Sequence, residues 1–228
     1  MKKSLLLILV SAFFIGCFAT MPPPVKEMYL KDTTADEQKK LSAIEQEIIK
    51  INQENSRLKE SLKILNQKIL VNEKDIARLE KEKSYFAEKE KLLTLSNETE
   101  KLVKLNEEKK KNDFDLQLEK LNLDFLKAKK NCDEVNSELL NTRLNVKIAE
   151  LNFEKAKIGR AYQDKTLGPV VADAKGGKDK NRIDIEQYEK YYKDQQAKLE
   201  QKQKELKRYE DVLKQAEEKY KSFKSSAE

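Results

Sequence analysis

The sequence predicts an all-α protein made of long coiled-coil helices, with an antiparallel helical hairpin in its C-terminal half. Its 228 residues include only 5 Gly and 4 Pro, and 39% are charged, a composition typical of long helices. Val25 and Ile158 enclose a stretch with neither Gly nor Pro. Apolar residues recur there at alternating spacings of three and four, the heptad pattern. High charge is also typical of disordered chains, but a disordered chain would not keep that register.

Residues 36–163 are predicted to be helical, and the first helical tract lies at the start of this region. Two asparagines, Asn55 and Asn72, interrupt its apolar seam. A buried Asn weakens a coiled coil but selects its register and strand number, so we expect a structural role for both. The seam positions are Leu41, Ile44, Ile48, Ile51, Asn55, Leu58, Leu62, Leu65, Ile69, Asn72, Ile76 and Leu79.

The second tract carries two apolar stripes on opposite sides. Because a helix with two apolar faces has neighbours on both, we expect three or more helices to meet here, within one chain or between chains. The main seam is Phe114, Leu118, Leu121, Phe125, Ala128, Cys132, Val135, Leu139, Thr142, Val146, Ala149, Phe153 and Ala156, and the second stripe is Leu116, Leu123, Leu144, Leu151 and Ile158.

The seam turns polar between these tracts, at residues 97–111. Asn97 with Glu100 has the spacing of a capping box, which would start a new helix after a turn. Leu41 and Leu118, however, lie a whole number of heptads apart, and that preserved phase favours one continuous helix. The sequence leaves both a hinge and a continuous helix open.

A loop is predicted at residues 164–182, where Gly168-Pro169 and Gly176-Gly177 are strong turn signals. A third tract, 183–225, follows, with Asp184 as its expected N-cap. The second and third tracts have similar lengths, so we expect the third to fold back on 114–158 as a hairpin, with a three-helix bundle as the alternative architecture. The third seam is Ile185, Tyr188, Tyr192, Gln195, Leu199, Lys202, Leu206, Tyr209, Leu213, Ala216, Tyr220 and Phe223.

The apolar part of the predicted loop is its one candidate site for binding a partner. It is either a docking knob for another protein or a turn that covers the end of the hairpin, and we favour the turn. The candidate partner-binding residues are Leu167, Gly168, Pro169, Val170 and Val171, and a nearby tyrosine group comprises Tyr162, Tyr188, Tyr191 and Tyr192.

Catalytic chemistry is not expected. The chain has no His, the commonest acid–base catalyst and metal ligand. Cys132 lies on the seam, where we expect it to fill the core, and no His is available to activate its thiol. Basic and acidic residues interleave throughout, which does not fit a nucleic-acid binder. We therefore predict a non-enzyme with no cofactor, metal, nucleic acid or small-molecule substrate.

The N-terminus indicates export. Residues 1–16 have the form of a signal peptide: two lysines, then an apolar run too short to span a bilayer. The run ends in Phe14-Ile15-Gly16-Cys17, which resembles the lipobox of bacterial lipoprotein precursors, in the relaxed form known from spirochaetal members. The resemblance implies cleavage before Cys17 and acylation of that residue by fatty acids such as palmitate.

The resemblance also implies a location. Phe18 follows Cys17 where inner-membrane lipoproteins often carry Asp, so the expected destination is the outer membrane, facing the periplasm. Residues 17–35 are predicted to be the lipidated Cys and an unstructured stalk. We expect a tether, spacer or assembly scaffold of the cell envelope, held by membrane lipid through Cys17 and binding a protein partner or further copies through its coiled-coil faces. The alternative is a surface-exposed helical lipoprotein that binds a host or environmental ligand.

Overall fold

The computed structural model describes residues 21–168 and 182–226. Within these ranges the protein is all-α, as predicted, and contains no β-strand. A short 3₁₀ helix (Glu27–Leu30) precedes three long helices, α1 (Ala35–Leu95), α2 (Thr99–Leu167) and α3 (Ile185–Ser225). α2 packs against both α1 and α3, so the predicted hairpin of the second and third tracts is confirmed.

Contacts divide the chain into two compact units. Of the described residues, the first unit takes in 21–51, 142–168 and 182–200, and the second takes in 52–141 and 201–226. Each of the three helices contributes a segment to both units.

In the second unit, α2 contacts both of the other helices: Phe125 of its main seam packs on the core cluster that includes Leu65 of α1 and also stacks on Tyr220 of α3. Leu123, from the second stripe, packs on the same cluster. The main seam contacts α3, where Phe114 stacks on Phe223 with ring centroids 4.9 Å apart. The expectation that three helices meet along this tract is therefore confirmed, and all three belong to one chain.

The two seam asparagines of α1 also lie in the second unit, and both bond to α2. Asn55 donates from Nδ2 to Oδ1 of Asn141 at 2.7 Å and accepts at Oδ1 from the Ser137 hydroxyl at 2.8 Å. Asn72 donates to the Glu119 carboxylate. These pairs are satisfied in one alignment of α1 on α2, which is the register-selecting role expected of a buried Asn.

A tight turn at residues 96–98 separates α1 from α2. Asn97 has a left-handed φ of 56°, its N–H bonds to the Thr94 carbonyl, and the Glu98 N–H bonds to the Leu93 carbonyl. These two bonds form a Schellman motif, which closes a helix. Asn97 is thus the C-terminal cap of α1, and the proposed capping box with Glu100 was wrong. The N–H of Leu102 bonds instead to the carbonyl of Glu98.

The polar seam of residues 97–111 does not mean that the start of α2 packs weakly on α1. Leu105, which lies off that seam, is only 1% exposed. Because the chain reverses at Asn97, α2 approaches α1 with its second stripe. The whole-heptad spacing between Leu41 and Leu118 therefore reflects two helices with compatible phases rather than one helix.

In the first unit, α1 begins with a capping box that the sequence analysis overlooked. The Thr34 N–H donates to the Glu37 carboxylate at 2.8 Å, and the Glu37 N–H donates to the Thr34 hydroxyl at 3.3 Å. The bond from the Thr34 backbone lowers the pKa of Glu37. Such reciprocal bonds satisfy two of the free N–H groups at a helix start.

Ion pairs and a ring contact join the three helices of the first unit. Lys147 of α2 bonds to Glu47 of α1 at 2.7 Å, and this ammonium lowers the pKa of Glu47. Phe153 of α2 stacks on Tyr192 of α3, with centroids 6.1 Å apart.

Candidate functional site

The hairpin end of the first unit is the best candidate for a functional site, because the N-terminal segment docks there. The described part of the predicted stalk, residues 21–34, is not free. Tyr188 of α3 is buried and donates its hydroxyl to the Pro23 carbonyl at 2.5 Å. Tyr29 lies against Tyr162 of α2 with ring centroids 6.1 Å apart. The prediction of an unstructured stalk was wrong for this part, because the Pro23 carbonyl and the Tyr29 ring have partners on the hairpin.

A glycine makes the close approach of this segment possible. A β-carbon at Gly159 of α2 would lie 3.0 Å from Val25 Cγ1, 3.4 Å from Tyr29 Cβ and 2.7 Å from Ile183 Cδ1. Two of these atoms belong to the docked segment. The third belongs to Ile183, which lies just before α3 begins. Gly in a helix interior costs about 1 kcal/mol relative to Ala, and here it leaves space for the segment.

A polar network closes the hairpin beside this glycine. Gln163 is 2% exposed, and its side-chain oxygen accepts from the Ile183 N–H at 2.9 Å. Arg160 donates to the Ile183 carbonyl at 3.1 Å and to Asp164 at 3.0 Å. Arg182 bonds to the same carboxylate. The end of α2 is therefore joined to residues 182 and 183 by hydrogen bonds to the Ile183 backbone and by an ion pair of Arg182 with Asp164.

The predicted loop residues are only partly within the described chain. α2 continues through Leu167, so the loop begins at Gly168 and not at residue 164. Gly168 has a φ of 76°, and its carbonyl accepts from Arg182 at 2.6 Å. Leu167, the last residue of α2, is 59% exposed. Pro169, Val170 and Val171 lie outside the described residues, as does Cys17.

The other residues selected from the sequence have structural environments. Cys132 is a buried free cysteine, and burial raises the pKa of its thiol, which keeps the thiol protonated. Burial likewise raises the pKa of the Tyr188 hydroxyl. Three tyrosines of the group selected from the sequence have separate partners: Tyr162 contacts Tyr29, Tyr188 bonds to Pro23, and Tyr192 stacks on Phe153.

The described residues contain neither a metal-binding cluster nor a membrane-spanning helix. Those residues hold no group of three or more His, Cys, Asp or Glu side chains arranged to bind a metal ion. Nor do they include a helix with the length and apolar character needed to cross a bilayer.

No protein-family model, curated protein or solved structure matches this chain. The candidate site therefore has to be interpreted from its own geometry. In that geometry, the site holds residues 21–34 against the end of a helical hairpin.

The sequence analysis missed this docking, although a signal for it was present. Val25 and Tyr29 are apolar residues in the short segment that precedes the heptad pattern. Gly159 is the first Gly after the long Gly-free region, and an isolated Gly in a helical pattern often marks close packing. Their pairing depends on a contact between distant parts of the chain, which periodicity alone does not predict.

Proposed function

We propose that this protein is a non-enzymatic, lipid-anchored coiled-coil protein of the bacterial cell envelope. It acts as a periplasmic tether, spacer or assembly scaffold, and it works through helix–helix contacts. The observation that carries the proposal is the docking of residues 21–34 onto the hairpin end, directly after the lipobox-like Gly16-Cys17.

The short distance between anchor and helices supports a mechanical role. Only residues 18–20 separate Cys17 from Met21, and four residues of extended chain reach about 14 Å. Because Pro23, Val25 and Tyr29 are held by the hairpin, an acyl chain on Cys17 would transmit force to packed helices rather than to a flexible linker. Several acyl chains would hold the protein durably to a membrane.

The side chains between the helices also support a scaffold rather than an enzyme. Charged residues are used in pairs that link helices, such as Lys83–Asp113 at 2.9 Å and Lys127–Glu73 at 3.0 Å in the second unit. Exposed pairs of this kind stabilise by less than about 1 kcal/mol each, but their alternation disfavours other alignments. The thiol of Cys132 is buried.

Lipidation is tested by Cys17→Ala, with Cys132→Ala as the matched control. The Cys17 variant should lose labelling by a fatty-acid analogue and should no longer sediment with membranes, because it has lost its acceptor sulfur. The Cys132 variant should keep both properties, since that thiol lies inside the helical core. Full membrane retention and labelling of the Cys17 variant would overturn the anchor.

Topology is tested on the same cells. Protease added to intact cells should leave the chain whole, and permeabilising the outer membrane should make it cleavable. Degradation on intact cells would instead favour the surface-exposed, ligand-binding lipoprotein.

A further inference from the structure

α1 carries, in the second unit, a line of exposed apolar side chains that its partner helix does not cover. Ile64 is 55% exposed, Val71 60%, Tyr85 57% and Leu92 67%. The residues follow a seven-residue spacing, in which Arg78 takes the one remaining position. A seven-residue repeat stays on one face of a coiled-coil helix. This exposed stripe is therefore a second face of α1, one residue out of step with the seam at Leu65, Asn72 and Leu79.

A groove runs beside the stripe, between α1 and α2. Its volume is about 550 Å³, and its lining includes Ile64, Lys68, Val71, Asn72 and Leu126. Among the described residues, no group donates to the buried Oδ1 of Asn72. The groove is lined mostly by polar and charged side chains, and the stripe beside it is apolar except at Arg78. Together they offer an elongated surface of the kind that another helix covers.

The stripe is symmetric about Arg78. Val71 and Tyr85 lie seven residues to either side of it, and Ile64 and Leu92 lie fourteen to either side. A contact between two identical surfaces on a two-fold axis requires that residue i meets j while j meets i. A second copy of α1, running antiparallel with its Arg78 on the axis, satisfies this condition for every apolar residue of the stripe.

The charges beside the stripe are complementary under the same symmetry. Lys68 is the mirror position of Glu88, Lys74 that of Glu82, and Asp75 that of Lys81, so each pairing joins opposite signs. In a parallel, in-register pair the same residues would face their own copies, giving six like-charge contacts. Flanking charges of this kind set the orientation of coiled-coil partners.

Several of these charges are available for an intermolecular pair. Within residues 21–168 and 182–226, neither Lys68 nor Glu88 makes an ion pair, and the same holds for Lys81; all three are exposed. Arg78 is bound by Glu82 of its own helix at 2.7 Å, which reduces the repulsion between the two arginines at the axis.

We propose that the chain forms an antiparallel homodimer through residues 64–92 of α1. The two stripes cover each other, Val71 packs on Tyr85 of the second copy, and Lys68 pairs with Glu88 of the second copy. This interface contains no residue of the anchor or of the docked segment, so experiments on the unlipidated chain in detergent test it separately from the lipid anchor.

Cysteine cross-linking tests the orientation, in the full-length chain carrying Cys17→Ser and Cys132→Ala and purified in detergent. Arg78→Cys should form a disulfide with its own copy, because position 78 lies on the axis. Val71→Cys should not cross-link to itself, but a mixture of Val71→Cys and Tyr85→Cys should give the mixed dimer. Self-cross-linking of Val71→Cys as efficient as that of Arg78→Cys would establish a parallel pair and overturn the proposal, as would no cross-link at any of these positions.

A charge exchange tests the pairing, with sedimentation equilibrium as the measurement on the same full-length background. Lys68→Glu should weaken dimerisation about tenfold, since two exposed ion pairs become two like-charge contacts. Adding Glu88→Lys should restore it. Failure of the second substitution to restore the dimer would contradict the proposed register.

An apolar-to-charged substitution tests the stripe itself. Val71→Glu should give a monomer with unchanged helical content, because Val71 is exposed within the chain. Leu70→Glu is the matched control: Leu70 is 58% exposed but lies about 100° around the helix, and its variant should still dimerise. Equal effects of the two substitutions, or a wild-type chain that is monomeric, would overturn the dimer.

Discussion

Individual polar side chains hold α1 and α2 in register. The Asn55 amide is buried in the second unit, and both of its polar atoms are used, by Asn141 and by Ser137. An apolar seam alone tolerates a shift by one heptad, because apolar side chains are interchangeable. A shift here would separate the buried Asn55 amide and the buried Ser137 hydroxyl from their partners, which costs about 1–3 kcal/mol per group.

Replacing one member of this cluster should therefore be costly. We expect Asn55→Leu to lower the free energy of unfolding by about 2 kcal/mol, because it leaves the Ser137 hydroxyl buried without its acceptor. Urea denaturation followed by circular dichroism measures the change.

The control removes the whole cluster. The combined variant Asn55→Leu, Ser137→Ala, Asn141→Leu should recover the loss, since no polar group then remains unpaired. If the single variant is as stable as the wild type, the hydrogen bonds of Asn55 do not contribute as inferred.

At this scale the sequence predicted the role of Asn55 but not its partners. Its seam position was sufficient to expect a register-selecting amide. Ser137 and Asn141 lie off the main seam of the second tract, and they become visible as partners only once α1 is known to pack on the second stripe.

Among the elements, the turn between α1 and α2 decides the architecture. It converts a region that reads as one long heptad repeat into two antiparallel helices. The Schellman bonds at residues 93–98 depend on the left-handed φ of Asn97. Asn and Gly adopt that conformation easily, whereas a β-branched residue does so at a cost of roughly 1–2 kcal/mol.

Substitution of Asn97 should therefore follow backbone preference rather than side-chain chemistry. Asn97→Val should destabilise the protein by about 1–2 kcal/mol, and Asn97→Gly should be neutral or slightly stabilising. Thermal unfolding of the two variants measures the difference. Equal stability of the Val and Gly variants would mean that the turn does not require a positive φ.

The helices themselves were largely predictable, and their connections were not. The third tract was expected at 183–225, and α3 spans Ile185–Ser225, because apolar spacing and the preceding glycines both marked it. The sequence leaves the break near Asn97 open because the capping-box spacing favours a new helix, whereas the preserved heptad phase favours one continuous helix. Only the bonds to Thr94 and Leu93 distinguish these alternatives.

At the scale of the whole chain, the docked N-terminal segment links the proposed anchor to the helices. Composition gave no indication of it, because residues 21–34 contain three prolines in a row and resemble a linker. The docking depends on long-range partners: Tyr188 for Pro23, Tyr162 for Tyr29 and the open surface of Gly159 for Val25.

Filling that open surface should release the segment while the helices remain folded. Gly159→Leu places side-chain atoms where Val25 and Tyr29 now lie and also against the side-chain end of Ile183, which can shift by rotation. Leu is nevertheless the better helix former by about 1 kcal/mol. We expect trypsin to cleave after Lys26 and Lys31 about tenfold faster than in the wild type. This rise corresponds to the loss of about 1.4 kcal/mol of free energy that now opposes local opening of the segment. The circular dichroism spectrum should not change. Ala161→Leu, at an exposed position of the same helix, should leave the cleavage rate as it is.

Gly159→Leu also tests whether the docked segment protects the link between the lipid anchor and the helices. On membranes, early cleavage after Lys26 should free the helical part of Gly159→Leu while residues 17–26 stay with the lipid. Wild type and Ala161→Leu should remain attached at that protease dose, because their cleavage sites are held against the hairpin. Release of all three proteins at the same rate would show that the docked segment does not protect the link between anchor and helices.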